Sequence, residues 1–408
     1  MKIAVIGGGA AGMAAAIAAA KQGAEVAVLE QGERVGRKLL STGNGRCNFT
    51  NLSAGDPAHY KTGDEAALAA VLSACPPARV RAFLEEMGVP SVVEEGRVYP
   101  RSFQAAAVVD ALRMTMAEWG VEERCGARAE AILKKSGGFL VRLASKPGER
   151  EKALWADRVV VTAGGKAAPK LSGGGDYGLL TALGHSCTAL LPALCQLRTE
   201  TGPIRALKGI RVQAALRAFA GKTLLREDVG EVLFTEYGLS GIPALQLSLF
   251  VGEVKTVRIE IDFFPELDES ALFAALCRRA EAFPNRTLSE FFVGMLPKRV
   301  GEALWKRAKQ PSLEQAAGAL ERDALRAVTA QAKAFSLRLE GVQPFESAQV
   351  TAGGVPLCEF DERTMESRLV PGLFAAGEVL DAAGECGGFN LHWAFASGWI
   401  AGTSAGQE

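Results

Sequence analysis

Three glycines near the start of the chain have the spacing that fits a backbone around a pyrophosphate. Gly7, Gly9 and Gly12 follow the apolar run Lys2–Ile6 in the order G-x-G-x-x-G. Gly7 permits a tight turn, Gly9 lets the backbone approach the pyrophosphate, and Gly12 lets the next helix pack closely on the strand. Glu30 suits a ribose 2′-hydroxyl and would repel a 2′-phosphate. This pattern predicts a strand–turn–helix–strand unit that holds FAD or NAD rather than NADP.

Basic residues and glycines follow this unit in residues 31–51, a segment without hydrophobic periodicity. Loops of this length without structure of their own are usually functional. Arg37, Lys38 and Arg46 would neutralise a pyrophosphate, and the glycines between them permit close backbone approach. A solvated surface loop is the alternative, but the density of glycines beside basic groups favours a long loop packed on the cofactor.

Two further glycine-rich segments lie far along the chain. AGGKAAPKLSGGGDYG, residues 163–178, follows an apolar strand, and GECGGFNLHWAFASGWIAG, residues 384–402, opens a helix. A helix start offers N–H groups to negative charge, such as that on N1 and O2 of a reduced flavin. FAD spans from a first glycine turn to a distant isoalloxazine, so two cofactor-type chain ends favour FAD over a nicotinamide cofactor. Asp381 would bind the ribityl chain, and Ala129 is placed to meet the adenine edge.

Composition restricts the function classes. The 408 residues carry 46 basic and 46 acidic side chains, a balance that disfavours nucleic acid or an anionic membrane as partner. The eight cysteines include no C-x-x-C pair, so neither a metal site nor a dithiol motif is indicated. No apolar run reaches the roughly 20 residues of a membrane span, and the N-terminus has no signal-peptide pattern. We expect a cytoplasmic protein of open oligomeric state.

The pattern of periodicities predicts an α/β fold with an insertion. Apolar and polar residues alternate near residues 210–217 and 257–263, which is typical of half-exposed antiparallel strands. A helical block from Asp268 to about Phe335 contains capping-box spacing at Thr287/Glu290 and Ser312/Gln315, and residues 65–88 also look helical. The predicted parts are a discontinuous Rossmann-like FAD-binding domain (1–190 and 343–408), an inserted antiparallel β-domain (191–265 and 336–342) and a helical subdomain (266–335).

Six motifs along the chain carry a family resemblance. They are GRKLLSTGNGRCNFTN (36–51), VTAGGKAAPKLSGGGDYG (161–178), GEVLFTEYGLSGIPALQLS (230–248), VTAGGV (350–355), TMESR (364–368) and the segment 372–402. The chain resembles the BaiN family of NAD(P)/FAD-dependent oxidoreductases, within the glutathione-reductase-like two-dinucleotide flavoproteins. The resemblance implies a non-covalent FAD covered by the insertion. It also implies reduction of a C=C bond conjugated to a ketone in a hydrophobic 3-oxo bile acid or steroid.

In this mechanism NAD(P)H binds transiently and reduces FAD, hydride passes to the enone, and an acid protonates the α-carbon. His392, Tyr237 and Glu236 are the candidate proton donors. The family often has His where Glu236 stands and Gln where His392 stands. The helix dipole would lower the pKa of His392, and a hydrogen-bonded structural histidine is the favoured alternative. Cys47 and Cys386 are candidates for a redox pair, with buried inert thiols as the favoured alternative.

Other functions stay open. These are a flavin-dependent RNA-modifying or RNA-binding protein, a dehydrogenase working in the oxidative direction, and a flavin-binding sensor. The expected cofactor-binding residues are Gly7, Gly9, Ala10, Ala11, Gly12, Glu30, Gln31, Arg37, Lys38, Gly43, Asn44, Gly45, Arg46, Cys47, Asn48, Ala129, Ala163, Gly164, Gly165, Gly377, Glu378, Asp381, Gly387, Gly388, Phe389, Asn390 and Leu391.

Overall fold

A computed structural model describes residues 1–145, 152–252, 254–310 and 312–407. The chain forms two compact units, Met1–Pro192 with Ala348–Glu408, and Ala193–Ser347. The first unit is therefore assembled from both ends of the chain. The sequence pattern placed the second junction after residue 342, whereas residues 343–347 belong to the second unit, where the Gln343 N–H donates to the Gln196 carbonyl at 2.9 Å.

Strands and helices are distributed along the whole described chain. The strands are β1 Lys2–Ile6, β2 Glu25–Glu30, β3 Thr50–Asn51, β4 Tyr60–Lys61, β5 Ser91–Glu94, β6 Arg97–Pro100, β7 Glu122–Cys125, β8 Ala129–Lys135, β9 Gly138–Leu143, β10 Lys152–Ala156, β11 Arg158–Val161, β12 Leu191–Ala193, β13 Leu197–Thr199, β14 Arg211–Ala220, β15 Thr223–Phe234, β16 Gly238–Ser240, β17 Val257–Asp262, β18 Phe335–Val342, β19 Val350–Ala352, β20 Leu373–Ala375 and β21 Ala383–Gly384. The α-helices are α1 Ala10–Lys21, α2 Arg37–Leu40, α3 Glu65–Ala74, α4 Pro77–Glu85, α5 Ala105–Glu118, α6 Pro169–Ser172, α7 Gly178–Thr181, α8 Ile242–Val251, α9 Glu269–Ala282, α10 Lys298–Arg307, α11 Arg322–Lys333 and α12 Phe389–Gly406.

A five-stranded parallel sheet forms the centre of the first unit. Its strand order is β20-β11-β1-β2-β7, and all four pairings are parallel. Ile3 to Ile6 of β1 are buried, which explains why this strand is apolar without alternation. Because β20 comes from the C-terminal segment, the sheet needs both ends of the chain. The predicted Rossmann-like α/β fold is confirmed.

Helices α1 and α12 pack with their backbones in close contact. A Cβ at Gly398 would lie 2.3 Å from the Ala11 carbonyl oxygen, and one at Gly402 would lie 2.1 Å from that of Ala15. The contacts advance in the same direction along both helices, so the helices are parallel. Helix α12 begins at Phe389, nine residues before Gly398, whereas α1 begins at Ala10, one residue before Ala11. At 1.5 Å per residue, the start of α12 therefore extends about 12 Å beyond the start of α1.

Short antiparallel sheets surround this framework. β8, β9 and β10 form one three-stranded sheet, β3, β6 and β5 another, and β4 pairs with β21. The predicted helix at 65–88 is two helices, α3 and α4, because Pro76 and Pro77 interrupt it. Among the described residues no single helix is long and apolar enough to cross a membrane, and α3 with α4 passes that test only as a pair bent by 42°.

The second unit is a closed six-stranded barrel with helices. The strands follow the order β13-β16-β15-β14-β17-β18, and β13 closes the barrel by pairing with both β16 and β18. The alternation over residues 257–263 predicts Asp262 on the polar, exposed face of its strand, but it is 1% exposed. Arg217 and Lys333 bind its carboxylate at 2.6 and 2.7 Å. These two cations compensate the charge that burial would otherwise make costly.

The helical part of this unit differs from the prediction at two expected helix N-termini. No helix begins at Thr287 or Ser312, although the Thr287 hydroxyl does donate to the Glu290 carboxylate at 3.2 Å. The Leu288 N–H instead donates to the Gln315 carbonyl, and Thr287 forms a β-bridge with Ala316. Long-range backbone pairing overrides the local capping signal at both positions.

Candidate functional site

The turn between β1 and α1 contains glycines that lie close to other backbone atoms and one glycine that faces open space. Gly7 has a φ of +105°, and a Cβ there would lie 2.3 Å from the Thr162 carbonyl oxygen. A Cβ at Gly12 would lie 1.9 Å from the Gly7 carbonyl oxygen, but a Cβ at Gly9 meets nothing within 4 Å. Helix α1 also has no side-chain cap at its start. Open space therefore faces unsatisfied helix N–H groups, and a pyrophosphate fits that environment.

Glu30 lies at the end of β2, where it also organises the turn. One carboxylate oxygen accepts from the Gly8 N–H at 2.8 Å and the other from the Gly32 N–H at 2.7 Å. Carboxylate oxygens accept more than one hydrogen bond, so this geometry leaves acceptor capacity for a ribose hydroxyl. The neighbouring Gln31 donates from Nε2 to the Ser172 carbonyl at 3.0 Å, which ties β2 to the second glycine-rich segment.

Glu378 connects three of the predicted cofactor-binding segments. Its Oε2 accepts from Lys38 Nζ at 2.6 Å, and its Oε1 accepts from the Thr351 N–H at 2.9 Å. A Cβ at Gly165 would lie 2.4 Å from Glu378 Oε1, so only glycine fits there. Lys38 is therefore neutralised by Glu378, which counts against its predicted pairing with a pyrophosphate.

The two arginines predicted to neutralise the pyrophosphate also have protein partners. Arg37 donates to the Lys170 carbonyl at 2.9 Å. Arg46 pairs with the Glu94 carboxylate at 2.6 Å, and its guanidinium lies 4.4 Å from the centroid of the Tyr99 ring. The segment is also not structureless, since it contains α2 and the short strand β3. Arg46 connects this segment to the β5–β6 hairpin, which counts against its predicted pyrophosphate role, whereas Arg37 has no ion-pair partner among the described residues.

Several predicted cofactor contacts depend on backbone conformation alone. Gly43, Asn44 and Gly45 are all left-handed, with φ of 56°, 55° and 83°. Gly164 also has positive φ, and a Cβ there meets nothing within 4 Å. Ala129 is buried at a β-bulge of β8. These features permit the predicted close approach of a cofactor to the backbone.

The start of α12 is a crowded glycine turn with one unsatisfied polar atom. Gly388 has a φ of +102°, and a Cβ there would lie 2.5 Å from the Thr50 carbonyl oxygen and 2.6 Å from Asn48 Oδ1. Asn48 is 8% exposed, and its Oδ1 has no hydrogen-bond partner in the described structure. A buried acceptor without a partner is costly. The N3–H of a flavin pyrimidine ring would satisfy it, so the residues here fit the cofactor.

Asn390 supports this turn rather than presenting its side chain to a ligand. Its Oδ1 accepts from the Gly384 N–H at 2.8 Å, and its Nδ2 donates to the Gly384 carbonyl at 2.7 Å and the Glu385 carbonyl at 3.3 Å. The predicted cofactor contact of Asn390 is therefore restricted to its backbone. Phe389 is buried and packs edge-on against Tyr60, with ring centroids 5.8 Å apart.

Asp381 and Tyr177 lie close to the Glu378 network. Asp381 is 8% exposed, and its Oδ2 accepts from the Gly63 N–H at 3.2 Å. Burial, and then the charge of Glu378, raises the pKa of the Tyr177 phenol, with the Thr351 side chain opposing. Tyr177 therefore remains a neutral hydrogen-bond donor at physiological pH. No local motif distinguishes this tyrosine from an ordinary core aromatic.

Two predicted catalytic residues of the first unit are buried. His392 is 0% exposed, and its Nδ1 lies 2.9 Å from the Thr50 hydroxyl. Burial lowers its pKa to about 4, with the Cys75 backbone opposing, so burial rather than the predicted helix dipole is the main cause. Burial raises the pKa of Cys47 to about 12, with Thr42 opposing, and the thiol is free and protonated. Burial of both side chains disfavours the predicted roles in proton donation and redox chemistry, which remain predictions.

The other two predicted proton donors belong to the second unit. Glu236 is exposed and pairs with Lys208 Nζ at 2.6 Å, and this lysine lowers the pKa of the Glu236 carboxyl. The residue is thus a carboxylate rather than an acid at neutral pH. Tyr237 lies in the turn between β15 and β16, where its carbonyl accepts from the Thr199 N–H at 3.1 Å. Roles for both residues on the substrate side remain predictions.

Sequence reasoning missed a histidine–glutamate pair beside the second glycine turn. His59 Nδ1 lies 3.0 Å from Glu385 Oε2, and the two side chains are 31% and 6% exposed. The imidazole ring packs on Phe389, with centroids 4.5 Å apart. Pairing of Tyr60 with Gly384 in the β4–β21 sheet brings the two residues together from positions 326 apart in sequence. No local motif announces this pair.

A parallel sheet with one glycine turn opening α1 and a second opening α12 defines a flavin-binding Rossmann protein. The model of the HI0933-like protein Rossmann domain matches residues 1–404. The chain is 38% identical to a 3-dehydro-bile acid delta(4,6)-reductase of Clostridium scindens, covering 100% of this chain and 99% of that protein. It is 30% identical to a ribosomal RNA dihydrouridine synthase of Escherichia coli, covering 97% and 95%.

Among solved structures, a 3-ketosteroid delta1-dehydrogenase from Sterolibacterium denitrificans matches with a TM-score of 0.52 and 14% identity, covering 99% of each chain. At that identity the match supports the fold alone. The chain belongs to the HI0933-like family and is an FAD-dependent oxidoreductase. The family resemblance predicted from the sequence is confirmed.

Proposed function

We propose that this enzyme reduces a C=C bond conjugated to a carbonyl in a hydrophobic 3-oxo bile acid or steroid, with NAD(P)H as reductant. The observation that carries the proposal is the 38% identity, over the full chain, to a relative named as a bile acid delta(4,6)-reductase. The unsatisfied Asn48 oxygen beside the start of α12 supports the flavin position that such chemistry needs. NADH and NADPH are both consistent with the proposal.

FAD, when bound, supplies hydride transfer between the nicotinamide and the conjugated C=C bond. The residues of the chain would determine where each part of the cofactor binds. Gly9 and the first N–H groups of α1 would hold the pyrophosphate, Glu30 the ribose, and Asn48 with the start of α12 the pyrimidine ring. The offset of about 12 Å between the two helix starts suits a cofactor whose pyrophosphate and ring system are far apart.

Buried side chains surround the start of α12. Phe389 and His392 are buried, and Tyr60 covers the turn with its hydroxyl bonded to the Ala54 and Phe389 carbonyls. The N-terminus of α12 favours negative charge through its dipole and its free N–H groups. These residues would therefore stabilise the reduced, negatively charged cofactor without changing protonation themselves.

The second candidate is reduction of a uracil base in RNA, favoured by the 30% identity to a ribosomal RNA dihydrouridine synthase. The C5=C6 bond of uracil is also conjugated to a carbonyl, so the reaction class is the same and only the substrate differs. The balanced charge of the chain disfavours RNA, and two exposed barrel arginines are paired with acids, Arg258 with Glu260 at 3.0 Å and Arg338 with Glu340 at 3.2 Å. An RNA-binding face requires unpaired basic groups.

An anaerobic spectral titration tests both candidates. The purified yellow protein is mixed with NADH or NADPH, and the bleached form is then given a 3-oxo-Δ4 steroid, another enone, or uridine-containing RNA. Return of the yellow colour with the steroid supports the proposal, and return with RNA alone selects the second candidate. Bleaching without any reoxidation would reject both substrate classes, and a protein unable to bind FAD would contradict the flavin site itself.

A further inference from the structure

The His59–Glu385 pair has the geometry of a proton donor held in one orientation. Glu385 is 6% exposed and lies 3.0 Å from Nδ1, so the carboxylate fixes the ring and the tautomer. Nε2 is the remaining nitrogen, on a side chain that is 31% exposed. Phe389, the first residue of α12, supports one face of the ring at 4.5 Å between centroids. The imidazole is thus fixed beside the predicted flavin end and remains open to solvent.

We propose that His59 is the acid that protonates the α-carbon of the substrate, with Glu385 as its positioning residue. This inference rests on the proposed function. The β-carbon accepts hydride from reduced FAD, which is oxidised, and the C=C electron pair moves towards the carbonyl oxygen. That pair then forms the α-carbon–hydrogen bond with the Nε2 proton of the His59 imidazolium, which leaves a neutral imidazole. A proton from solvent restores the imidazolium and NAD(P)H reduces FAD again, so the C=C bond gains two hydrogens and the enzyme returns to its starting state.

Comparison with the other candidate acids favours His59. His392 is fully enclosed and neutral, and Tyr177 is buried beside Glu378 in surroundings that oppose ionisation. Glu236 is ionised beside Lys208. Among these four residues, His59 combines a carboxylate partner with a partly exposed side chain and a place beside the start of α12. A proton donor needs both geometry and a path for its own reprotonation.

The second histidine–glutamate pair of this unit provides a matched control. His185 Nδ1 lies 2.6 Å from Glu359 Oε2, and its Nε2 lies 2.9 Å from the Ser367 hydroxyl. The His185 side chain is 0% exposed and stacks on Phe360 at 4.8 Å. Both ring nitrogens are therefore engaged, and His185 has no part in the proposed site. Replacing it removes the same chemistry from a place where no proton transfer is expected.

Stopped-flow measurement of the two half-reactions tests the proposal. In His59→Gln and His59→Ala we expect unchanged FAD affinity and flavin reduction, with reoxidation by the enone slowed about 100-fold. Added imidazole should restore part of the rate in His59→Ala, which a merely structural role would not allow. Glu385→Gln should slow reoxidation less, Glu385→Asp should restore part of it, and His185→Gln should leave the rate unchanged.

The possible results distinguish failure of the His59 role from failure of the proposed function. Reoxidation of both His59 variants at the wild-type rate would overturn the role of His59 and leave the proposed function intact. Slow reoxidation that imidazole does not restore, or an equal loss in His185→Gln, would overturn it as well. Wild-type protein that binds FAD and is reduced but reoxidised by no enone would overturn the proposed function, and with it this inference.

Discussion

The two glycine turns of the first unit hold their helix starts in different ways. At the start of α1, Gly7 and Gly12 make contact with backbone atoms, and open space remains above Gly9. At the start of α12, side chains fill the space, and Asn390 and Asn48 lie against the glycines. The first turn leaves open space above backbone N–H groups, which suits a phosphate common to all nucleotides. The second places the Asn48 side chain beside the helix start, which suits a particular ring system and its chemistry.

This difference predicts that one substitution at the first turn destabilises the fold, whereas another weakens only FAD binding. Gly12→Ala places a Cβ 1.9 Å from the Gly7 carbonyl oxygen, so we expect loss of FAD and a destabilisation of roughly 3 kcal/mol or more. Gly9→Ala meets nothing in the protein, and the extended φ of −79° suits alanine. It should leave the melting temperature of the apoprotein unchanged and weaken FAD binding at least about tenfold, about 1.4 kcal/mol.

Thermal melts of the apoproteins and FAD titrations measure the two effects. Equal FAD affinity in Gly9→Ala and wild type would show that the space above Gly9 is not the pyrophosphate site. A Gly12→Ala protein as stable as the wild type would show that α1 tolerates displacement from the turn.

Burial of His392 at the second turn should appear in the pH dependence of stability. Its pKa is lowered from 6.5 to about 4, so the unfolded chain binds more protons between these values. Stability is therefore lost as pH falls from 6.5 to 4, by about 3 kcal/mol from this group. His392→Asn removes that contribution, and urea denaturation of both proteins at pH 7 and pH 4 should show a smaller loss in the variant. Identical losses would mean that His392 is protonated in the folded state.

Asn48 should affect binding and folding in opposite directions. Asn48→Ala removes a buried acceptor that has no protein partner, so we expect the apoprotein to keep or slightly gain stability. FAD affinity should fall about tenfold because one hydrogen bond to the cofactor, worth about 1–1.5 kcal/mol, is lost. Isothermal titration with FAD measures the change. Unchanged affinity would remove Asn48 from the flavin site.

The smallest effect is expected for the thiols of the second turn. Cys47 is buried with a pKa of about 12, and only a thiolate would act as a redox partner. The double variant Cys47→Ser/Cys386→Ser should be reduced by NAD(P)H within about twofold of the wild-type rate. Rapid-mixing absorbance at the flavin band measures this, and a much slower reduction would restore the redox-pair hypothesis.

Sequence reasoning identified the first turn well because its signals are local. Gly7, Gly9, Gly12 and Glu30 all lie within one supersecondary unit, and their spacing reflects one set of steric requirements. The parallel packing of α1 on α12 had a readable signal as well, in glycines four residues apart at 398, 402 and 406. The capping-box spacing failed at Thr287, since pairing with Ala316 determines the local backbone instead.

The second turn was only partly predictable because distant residues build it. His59 and Glu385 are brought into contact by the pairing of two short strands, β4 and β21. These strands have two residues each, which is too short to produce a detectable sequence periodicity. The ion pairs of Lys38 and Arg46 were not predictable for a related reason, since their partners Glu378 and Glu94 are 340 and 48 residues away. Charge type is visible in a sequence, but the partner that neutralises a charge depends on tertiary structure.

The most direct test of the central claim is a single turnover in D2O. Photoreduced protein is mixed anaerobically with one equivalent of a 3-oxo-Δ4 steroid, and the product is analysed by mass spectrometry after exchange of its enolisable positions in H2O. The N5 hydrogen of a reduced flavin exchanges with solvent, so we predict a saturated ketone that retains one deuterium at the β-carbon as the flavin colour returns. Return of the colour without a saturated product, or a product without deuterium at that carbon, would contradict hydride transfer from the flavin to the enone.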